Sequence, residues 1–477
     1  MFGWILLGLF ALLLLVLVIR ALCFVPKPQL RTMQEPVQFD KQAAVSSLQQ
    51  LVRCKTISYN DKALEDDAEF QKLIDLLPDL YPKVFEVCSF QQLPDRALLL
   101  RWPGKSSDCP SVCMSHYDVV PVDEEKWEKP PFDGVIEDGV LWGRGTLDTK
   151  VTLNSALFGA NHLIAEGFVP ENDVYFAFSG GEEVNGMGAV NIVNYFTENG
   201  IQPALVLDEG GAVVENVFPG VKVPSAMIGI AEKGMINAQY SVLSGGGHAS
   251  APLPKTPITT LAKACRSIVE HPFPMHLTQP VAEMFDTLAR HSNFLYKLIF
   301  ANLWLFRPVL DMICISSGGD MNALVRTTTA FTQMQGSNAR NVIPTEAHMV
   351  SNMRLNPADS VASAVEYLKK TVSDPAVEIT VLESNEPSPI SETHCESYDR
   401  VASAVAQTWR SCVVTPYLMV QCSDSRHYRD LSNHVYRFSA MDLTNEERKT
   451  IHGNNERIRL DCLHRSVEFY IRLLKKC

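Results

Sequence analysis

The chain has 477 residues, of which 46% are hydrophobic and 20% are charged, and its formal net charge is −12. This composition is typical of a globular protein and excludes a disordered one, and the negative charge argues against nucleic acid as a partner. The length predicts two domains and an appendage, because single cores stop growing at about 250–300 residues.

The N-terminal segment differs from the rest of the chain. Residues 2–19 form an unbroken apolar run, close to the roughly 20 residues that a helix needs to span a bilayer. A cleaved signal peptide and a buried soluble helix are the alternatives, but no basic residue precedes the run and the cleavage site after it is weak. Residues 1–24 are therefore expected to be a transmembrane anchor or a signal peptide. A single-pass membrane protein is favoured over a secreted one, and the side of the membrane is left open.

The next segment, residues 25–39, contains three prolines and predicts a linker. From residue 40 on, short apolar runs alternate with helical stretches. The runs that predict buried parallel strands are residues 97–102, 111–115, 174–179 and 204–207. A helix is predicted between the second and third runs, at residues 152–166. This alternation predicts an α/β domain with a mostly parallel sheet over residues 40–229.

Beyond residue 230 the order of the elements changes. Strands are predicted at residues 235–243, 340–343, 346–355 and 377–382, and helices at residues 257–270 and 360–371. The order is strand, helix, strand, strand, helix, strand, which is typical of a ferredoxin-like α+β unit. We expect an inserted domain over residues 230–386, interrupted by a long apolar stretch. Residues 387–477 then return to the first domain and end in an amphipathic helix.

Side chains that bind metals follow three of the predicted parallel strands. His116, with Asp118 two residues later, follows the second run, the adjacent Glu182 and Glu183 follow the third, and Asp208 follows the fourth. Each pattern is common by itself in turns. Because ligands bind beyond the carboxyl ends of parallel strands, their joint position predicts a functional site.

Two other segments add ligands to this set. Asp148 ends the segment G-R-G-T-L-D, whose two glycines imply a tight turn, and His452 lies in I-H-G-N-N-E. Glu209 could replace its neighbour Asp208 as a ligand. Nitrogen and oxygen ligands without thiolate suit zinc, or another borderline metal such as cobalt or manganese, and the set is large enough for two ions.

The adjacent glutamates Glu182 and Glu183 indicate the chemistry. Two neighbouring carboxylates after a buried strand are electrostatically costly unless a cation lies beside them. One is expected to bind metal, and the other to take a proton from water. A paired-metal site with a spare carboxylate is typical of an enzyme that hydrolyses amide bonds.

The motifs together resemble one known family. The segments S-H-Y-D-V-V-P, W-x-x-P-P-F-D-G, G-R-G-T-L-D, G-E-E and A-E-K-G are similar to those of the zinc-dependent amidohydrolases and exopeptidases that include carboxypeptidase S and aminoacylase. The resemblance extends from about residue 40 to the C-terminus. Three further segments, R-T-T-T-A, N-V-I-P and D-S-R, favour the branch of carboxypeptidase S and of enzymes that join or cleave N-fatty-acyl amino acids.

This resemblance implies two zinc ions per chain. The implied ligands are His116, Asp148 and Asp208 for one ion, and His452, Asp148 and Glu183 for the other. Asp148 would bridge the two ions. Whether the peptide between Asp148 and Thr149 is cis is left open by the sequence.

The resemblance also implies roles for residues around the metals. Glu182 would be the general acid and base, and Asp118 would orient His116. His248, in the glycine-rich loop G-G-G-H-A-S, would reach the active site of a second subunit, so a homodimer formed through the inserted dimerisation or lid domain is implied. Asn341 and Arg354 would hold the carboxylate of the substrate.

The expected activity is cleavage, and possibly formation, of the amide bond of N-acyl amino acids, in particular N-fatty-acyl amino acids. The apolar stretch at residues 299–309 would then line an acyl pocket or simply pack in the core. A carboxypeptidase for short peptides is the alternative function. A membrane-anchored receptor or scaffold without activity is a third possibility, and loss of a metal ligand would be its mark.

Overall fold

The computed structural model of the chain describes residues 2–29, 37–218 and 220–477. Residues 30–36 of the predicted linker lie outside this description. The α-helices are α1 (Phe2–Cys23), α2 (Lys41–Val52), α3 (Asp67–Leu80), α4 (Pro82–Val87), α5 (Lys150–Ala165), α6 (Gly188–Glu198), α7 (Pro257–Glu270), α8 (Gln279–Ala289), α9 (Phe294–Phe300), α10 (Leu303–Ser317), α11 (Gly319–Val325), α12 (Val361–Val372), α13 (Glu396–Thr408), α14 (Asn445–Arg448) and α15 (Leu460–Leu474).

The strands belong to four sheets. They are β1 (Ser89–Leu93), β2 (Ala97–Trp102), β3 (Ser106–His116), β4 (Val135–Glu137), β5 (Val140–Trp142), β6 (Asn172–Ser179), β7 (Leu205–Val214), β8 (Ser225–Glu232), β9 (Gly234–Leu243), β10 (Gly247–His248), β11 (Thr328–Gln335), β12 (Val342–Ile343), β13 (Glu346–Leu355), β14 (Glu378–Asn385), β15 (Val413–Met419), β16 (Val435–Leu443) and β17 (Arg457–Arg459).

The largest sheet has eight strands in the order β1-β2-β6-β3-β7-β16-β8-β15. The four runs that predicted parallel strands correspond to β2, β3, β6 and β7. The middle of the sheet, β6-β3-β7-β16, is parallel, as is the pair β8–β15. The pairs β1–β2, β2–β6 and β16–β8 are antiparallel. The prediction of a mostly parallel sheet is therefore corrected to a mixed α/β sheet.

This sheet lies between two helical layers. Because side chains alternate across a strand, Leu98 and Leu100 of β2 belong to the core cluster that contains α5 and α15, whereas Leu99 packs with Phe196 of α6. The helices α5 and α15 approach each other closely at Gly159. A Cβ atom there would lie 3.3 Å from a backbone nitrogen of α15. The predicted return of the C-terminal segment to the first domain brings α15 to this position.

A second sheet has four strands in the order β11-β13-β9-β14, all antiparallel. Together with α7 and α12 it has a separate apolar cluster, built from residues between Ile236 and Val381. The strand predicted at residues 340–343 is wrong for this sheet, because β12 pairs with β10 instead. The missing strand is β11, whose largely exposed side chains do not form an apolar run.

The helix α1 contains the N-terminal apolar run. By length and composition it is able to cross a membrane, and a signal sequence near the N-terminus would have the same properties. Its side chains are exposed except near its C-terminal end, where Leu17 and Ala21 are buried.

The apolar stretch between residues 272 and 336 contains the four helices α8 to α11. Phe300 of α9 packs in the main core, with its ring 4.8 Å from that of Phe218 and 5.1 Å from that of Phe285. Trp304, Leu305 and Val309 are exposed. The stretch that was expected to line a pocket or pack in the core therefore divides between the core and the protein surface.

Candidate active site

The candidate site lies at the carboxyl ends of the central parallel strands. His116 is the last residue of β3, and Glu182 and Glu183 form a single helical turn after β6. Asp208 lies within β7. The sheet thus brings side chains that are far apart in sequence together at the edge where ligand sites form in α/β proteins.

Asp148 stands between two histidines. Its Oδ1 atom lies 3.0 Å from Nε2 of His116, and its Oδ2 atom lies 3.0 Å from Nε2 of His452. His452 Nε2 is also 3.0 Å from Oε2 of Glu183. The peptide between Asp148 and Thr149 is cis. Each carboxylate oxygen of Asp148 therefore faces a different histidine, which is the geometry of a bridging ligand.

Asp118 is fully buried and organises the turn that carries the two glutamates. Its carboxylate accepts hydrogen bonds from the backbone N–H groups of Glu182 and Glu183, at 3.1 and 3.2 Å. It also accepts a hydrogen bond from the Ser58 hydroxyl at 2.7 Å. The Nδ1 atom of His116 lies 3.4 Å from an Asp118 carboxylate oxygen and 3.0 Å from its carbonyl oxygen. Asp118 thus stands where it fixes the ring of His116.

Asp208 and Glu209, the two candidate ligands on β7, make different contacts. The Asp208 carboxylate accepts a hydrogen bond from the backbone N–H of Ser425 at 2.9 Å. The side chain near the cluster is Glu209, with Oε1 at 3.3 Å from Nε2 of His116. Sequence patterns predicted that the strand ends at residue 207, but β7 continues to Val214. Because successive side chains in a strand point to opposite faces, only one of the two carboxylates faces His116.

The ionisation of the carboxylates reflects their burial and crowding. Burial, with the charges of the carboxylates around it, raises the pKa of Glu182 well above its ordinary value. Burial likewise raises the pKa of Glu209 to about 8. The surroundings of Glu182, which was predicted to be the general acid and base, therefore disfavour its charged form.

The surroundings of the two histidines favour their charged forms, whereas those of Glu182 and Glu209 disfavour the charged carboxylate. Burial opposes the charged form of His116, but the charge of Glu209 and hydrogen bonds to two aspartates outweigh it and raise the pKa of His116 well above its ordinary value. Hydrogen bonds to Asp148 and Glu183 raise the pKa of His452 to about 10. The histidines thus hold protons at the places where a divalent cation would neutralise the same carboxylates.

The donor set fits metal ions. Two groups have ligand atoms that all lie within 4.8 Å of one another, His116 with Asp148 and Glu183, and His116 with Glu182 and Glu209. In a tetrahedral zinc site with bonds of about 2.0–2.1 Å, ligand atoms lie roughly 3.3 Å apart. The observed histidine–carboxylate distances are 3.0 to 3.3 Å. The side chains are therefore spaced as ligands of a metal.

The three residues predicted to bind substrate lie outside this cluster. His248 is exposed, with Nδ1 at 2.7 Å from the Ser250 hydroxyl, and the carbonyl of Asn341 accepts a hydrogen bond from Ala249 beside it. Arg354 is half-buried and donates to the sulfur of Cys422 at 3.3 Å. The strand pair β10–β12 thus brings His248 and Asn341 near each other, but their described contacts are not with the histidine–carboxylate cluster.

Comparison with known proteins assigns the chain to a family. The model of Peptidase family M20/M25/M40 matches residues 112–476, which is most of the chain. The chain belongs to this peptidase family. It is a metallo-hydrolase, and the family supports hydrolysis of amide bonds. The resemblance recognised from the sequence motifs is therefore confirmed.

Two relatives and one solved structure illustrate this M20-family membership. The chain is 34% identical to the "Probable carboxypeptidase S-like 2" of Dictyostelium discoideum, over 97% of this chain and 91% of that protein. It is 33% identical to the "N-fatty-acyl-amino acid synthase/hydrolase PM20D1" of Xenopus tropicalis, over 92% of this chain and 87% of that protein. The M20 family metallo-carboxypeptidase Sso-CP2 from Sulfolobus solfataricus has the same fold, with a TM-score of 0.67 at 18% identity, covering 91% of this chain and 98% of that chain.

One residue beside the histidine–carboxylate cluster had no role in the sequence interpretation, although its segment was noted. Glu456 is fully buried and forms an ion pair with buried Arg144 at 2.6 Å. Its carboxylate also accepts hydrogen bonds from the backbone N–H groups of Gly145, Leu147 and Asp148, at 2.7 to 3.1 Å. The sequence feature that could have identified Glu456 is its position, four residues after the candidate ligand His452.

The same pair holds the segment of His452. Arg144 donates to the carbonyl of Gly453 at 2.6 Å, and the N–H of Gly143 donates to the Glu456 carbonyl at 2.9 Å. The Arg144–Glu456 pair therefore fixes the turn before Asp148 and the loop of His452 against each other.

Replacement of Glu456 by glutamine is expected to weaken both folding and metal binding. The variant leaves the charge of Arg144 buried without its partner, which costs about 3–5 kcal/mol of the free energy of unfolding. Urea unfolding followed by circular dichroism measures the first effect, and metal content after dialysis against a chelator measures the second. Glu446→Gln, an exposed glutamate in α14, is the matched control. An unchanged unfolding free energy in Glu456→Gln would refute the proposed role of the Arg144–Glu456 pair.

Proposed function

We propose that the chain hydrolyses the amide bond of N-acyl amino acids, N-fatty-acyl amino acids in particular, at a dinuclear zinc centre, and that it forms the same bond in the reverse direction. The placement of Asp148 between His116 and His452, with the half-buried Glu182 beside His116, is the observation that carries this proposal. The relative named N-fatty-acyl-amino acid synthase/hydrolase supports the choice of substrate class.

The proposed metal ligands follow the geometry of the side chains. His116, Asp148 and Glu209 would hold one zinc ion, and His452, Asp148 and Glu183 would hold the other. Glu209 replaces Asp208 in this assignment, because Oε1 of Glu209 lies 3.3 Å from Nε2 of His116, whereas Oδ2 of Asp208 accepts a hydrogen bond from the N–H of Ser425. Two zinc ions at these places would polarise the amide carbonyl and lower the pKa of an attacking water molecule.

Glu182 carries the proton in the proposed reaction. Its carboxylate accepts the proton of the water molecule that attacks the amide carbonyl and delivers it to the leaving nitrogen. Asp118 holds the Glu182 backbone through the 3.1 Å hydrogen bond to its N–H group, so the general base stays oriented during this transfer. In the direction of synthesis, Glu182 takes a proton from the attacking amino group and delivers it to the carboxyl oxygen that leaves as water.

We further propose that residues 230–386 act as an inserted dimerisation or lid unit. The separate apolar cluster of the four-stranded sheet with α7 and α12 supports this unit, whereas α8 to α11 within the same range pack against the main core. In the resulting homodimer, His248 of one subunit would donate a hydrogen bond to the carbonyl oxygen in the active site of the other. Arg354 would bind the free carboxylate of the substrate as a bidentate donor, with Asn341 as a second donor.

We propose that α1 stays on the chain as a membrane anchor. Leu17 and Ala21 are buried at 5% and 1% exposure, and the Arg20 guanidinium donates to the carbonyl of Ala301 at 2.8 and 3.1 Å. These contacts favour a helix that is part of the folded protein over one that is removed. N-terminal sequencing of the membrane-extracted protein tests this, and a mature chain that starts after Ala21 would contradict it.

A carboxypeptidase that acts on short peptides is the second candidate function, favoured by the relative named carboxypeptidase S-like 2. The two functions are separated by substrates with the same C-terminal amino acid. An N-fatty-acyl amino acid and an N-blocked dipeptide are incubated with the zinc-loaded protein, and products are identified by mass spectrometry. A higher kcat/KM for the acyl amide is expected. A higher value for the dipeptide would favour the carboxypeptidase, and hydrolysis of neither would contradict both.

Replacement of Glu182 by glutamine is expected to abolish turnover while metal content is unchanged. The amide of glutamine cannot accept the proton of the attacking water, and such catalysis contributes about 10²–10⁴-fold to the rate. Turnover of the better substrate and metal content per chain are measured on the same preparation. A variant with more than about a hundredth of the original rate would show that another group is the base.

His248 allows a test of the dimer. His248→Ala is expected to lower turnover without a change in metal content. When this variant is mixed with Glu182→Gln, each heterodimer has one site with an intact Glu182 and a histidine from its partner. About a quarter of the original activity should then return after random exchange of subunits. No recovery despite verified subunit exchange would show that His248 does not act across a dimer.

A further inference from the structure

The helices α9 and α10 expose an apolar surface that the proposed reaction does not use. Its residues are Phe294, Leu295, Trp304, Leu305, Met312 and Ile313, and Trp304 and Met312 are 61% and 64% exposed. We call these six side chains the apolar platform. Single exposed apolar residues are normal on a protein surface, but a group of this kind on adjacent helices indicates an interaction site.

The charged side chains of α10 do not interrupt this surface. Asp311 pairs with the buried Arg326, which belongs to the protein body. Arg307 donates to the carbonyl of Met275 at 2.9 Å. Both charges are thus bonded to the body, and the platform presents apolar atoms without having to desolvate a charge.

The platform adjoins the apolar helix α1. The side-chain amide of Asn302 donates to the carbonyl of Leu17 at 3.1 Å, and Arg20 donates to the carbonyl of Ala301. Ala301 and Asn302 form the junction between α9 and α10. The platform residue Trp304 therefore lies two positions from a contact with α1, and the two apolar surfaces are continuous in the folded protein.

The position of Leu17 along α1 determines how deep in the bilayer the contact with the protein body would lie. Leu17 lies six residues before the end of the helix at Cys23, which is about 9 Å at a rise of 1.5 Å per residue. The hydrocarbon core takes roughly 20 residues, so an anchor made of α1 places Leu17 near the boundary of that core. The helices α9 and α10 meet at an angle of 107°, so they do not form one straight span beside α1.

We infer that the apolar platform inserts into the interfacial layer of the bilayer that α1 spans, so that the protein body rests on the lipid surface. Basic groups contact or lie in the segment just after α1, where lipid headgroups would lie. Arg290 donates to the carbonyl of Val25, and Lys27 pairs with Asp286 at 2.6 Å. This inference rests on the proposed anchor and is independent of the proposed catalysis.

Quenching of tryptophan fluorescence by brominated lipids tests the inference. The experiment uses the full chain with the substitution Trp4→Phe, which removes the tryptophan inside α1. This variant is reconstituted in phosphatidylcholine vesicles with bromine at the 6,7 or 11,12 positions of the acyl chain. Trp304 is expected to be quenched, more strongly by the shallow 6,7 bromines. The quenched component should disappear when Trp304→Phe is added. The absence of bromolipid-dependent quenching in the Trp4→Phe chain would overturn the inference.

Charge substitutions provide a second measurement that does not depend on one tryptophan. In the Trp4→Phe chain, Met312→Glu with Ile313→Glu should reduce quenching of Trp304, whereas Leu382→Glu, at an exposed leucine of β14, should leave it unchanged. If Trp304 is not quenched and Met312→Glu dissociates a dimer, the platform binds a second copy of the chain, and the lipid inference is overturned. Because quenching requires no turnover, it separates this inference from the failure of the proposed hydrolase activity, and the intact mass of the chain shows whether α1 is retained.

Discussion

The arrangement of the site depends on the buried ion pair between Arg144 and Glu456. Burying two charges is costly unless further hydrogen bonds saturate them, and here three backbone N–H groups from the turn before Asp148 point at the Glu456 carboxylate. Because those amides point inward, the side chain of Asp148 is presented on the other side, toward the histidines. Glu456 follows His452 by four positions, so one interaction joins parts of the chain that are 312 residues apart.

The hydrogen-bond partners of the carboxylates divide them into two groups, those that hold the backbone in place and those that are candidate metal ligands. Asp118, Asp208 and Glu456 accept hydrogen bonds from backbone N–H groups of the protein. Asp148, Glu183 and Glu209 instead face histidine nitrogens at 3.0 to 3.3 Å. A carboxylate that accepts hydrogen bonds from the protein has less remaining capacity for a cation, whereas one that lies 3.0 to 3.3 Å from an imidazole nitrogen is spaced to share a metal ion with it. This difference favours Glu209 over Asp208 as a ligand, although their positions in the sequence are equivalent.

The sequence predicted the parts of the fold that leave a strong apolar pattern. The strands β2, β3, β6 and β7 were found because buried strands are apolar runs, and the polar residues after them marked the edge of the sheet. The strand β11 was missed because most of its side chains are exposed, and the antiparallel neighbours were missed because a strand's direction leaves no local pattern. The roles of Glu209 and Glu456 could not be predicted, because they depend on where each side chain points. For Glu209 this depends on where β7 ends, and for Glu456 on a contact between residues 312 positions apart.

The membrane surface and the proposed chemistry support one another through the partitioning of the substrate. A single 14-carbon acyl chain binds a bilayer with an association constant of about 10⁴ M⁻¹, so N-fatty-acyl amino acids concentrate at the lipid surface and short polar peptides do not. A body held there by α1 and the apolar platform would meet acyl amides at a far higher local concentration than it meets peptides. Preference for acyl amides in the cell would then arise partly from location, even if the proposed carboxylate donor Arg354 binds either substrate equally well. The exposed apolar residues of α9 and α10, which an acyl pocket does not explain, acquire a role in the same selection.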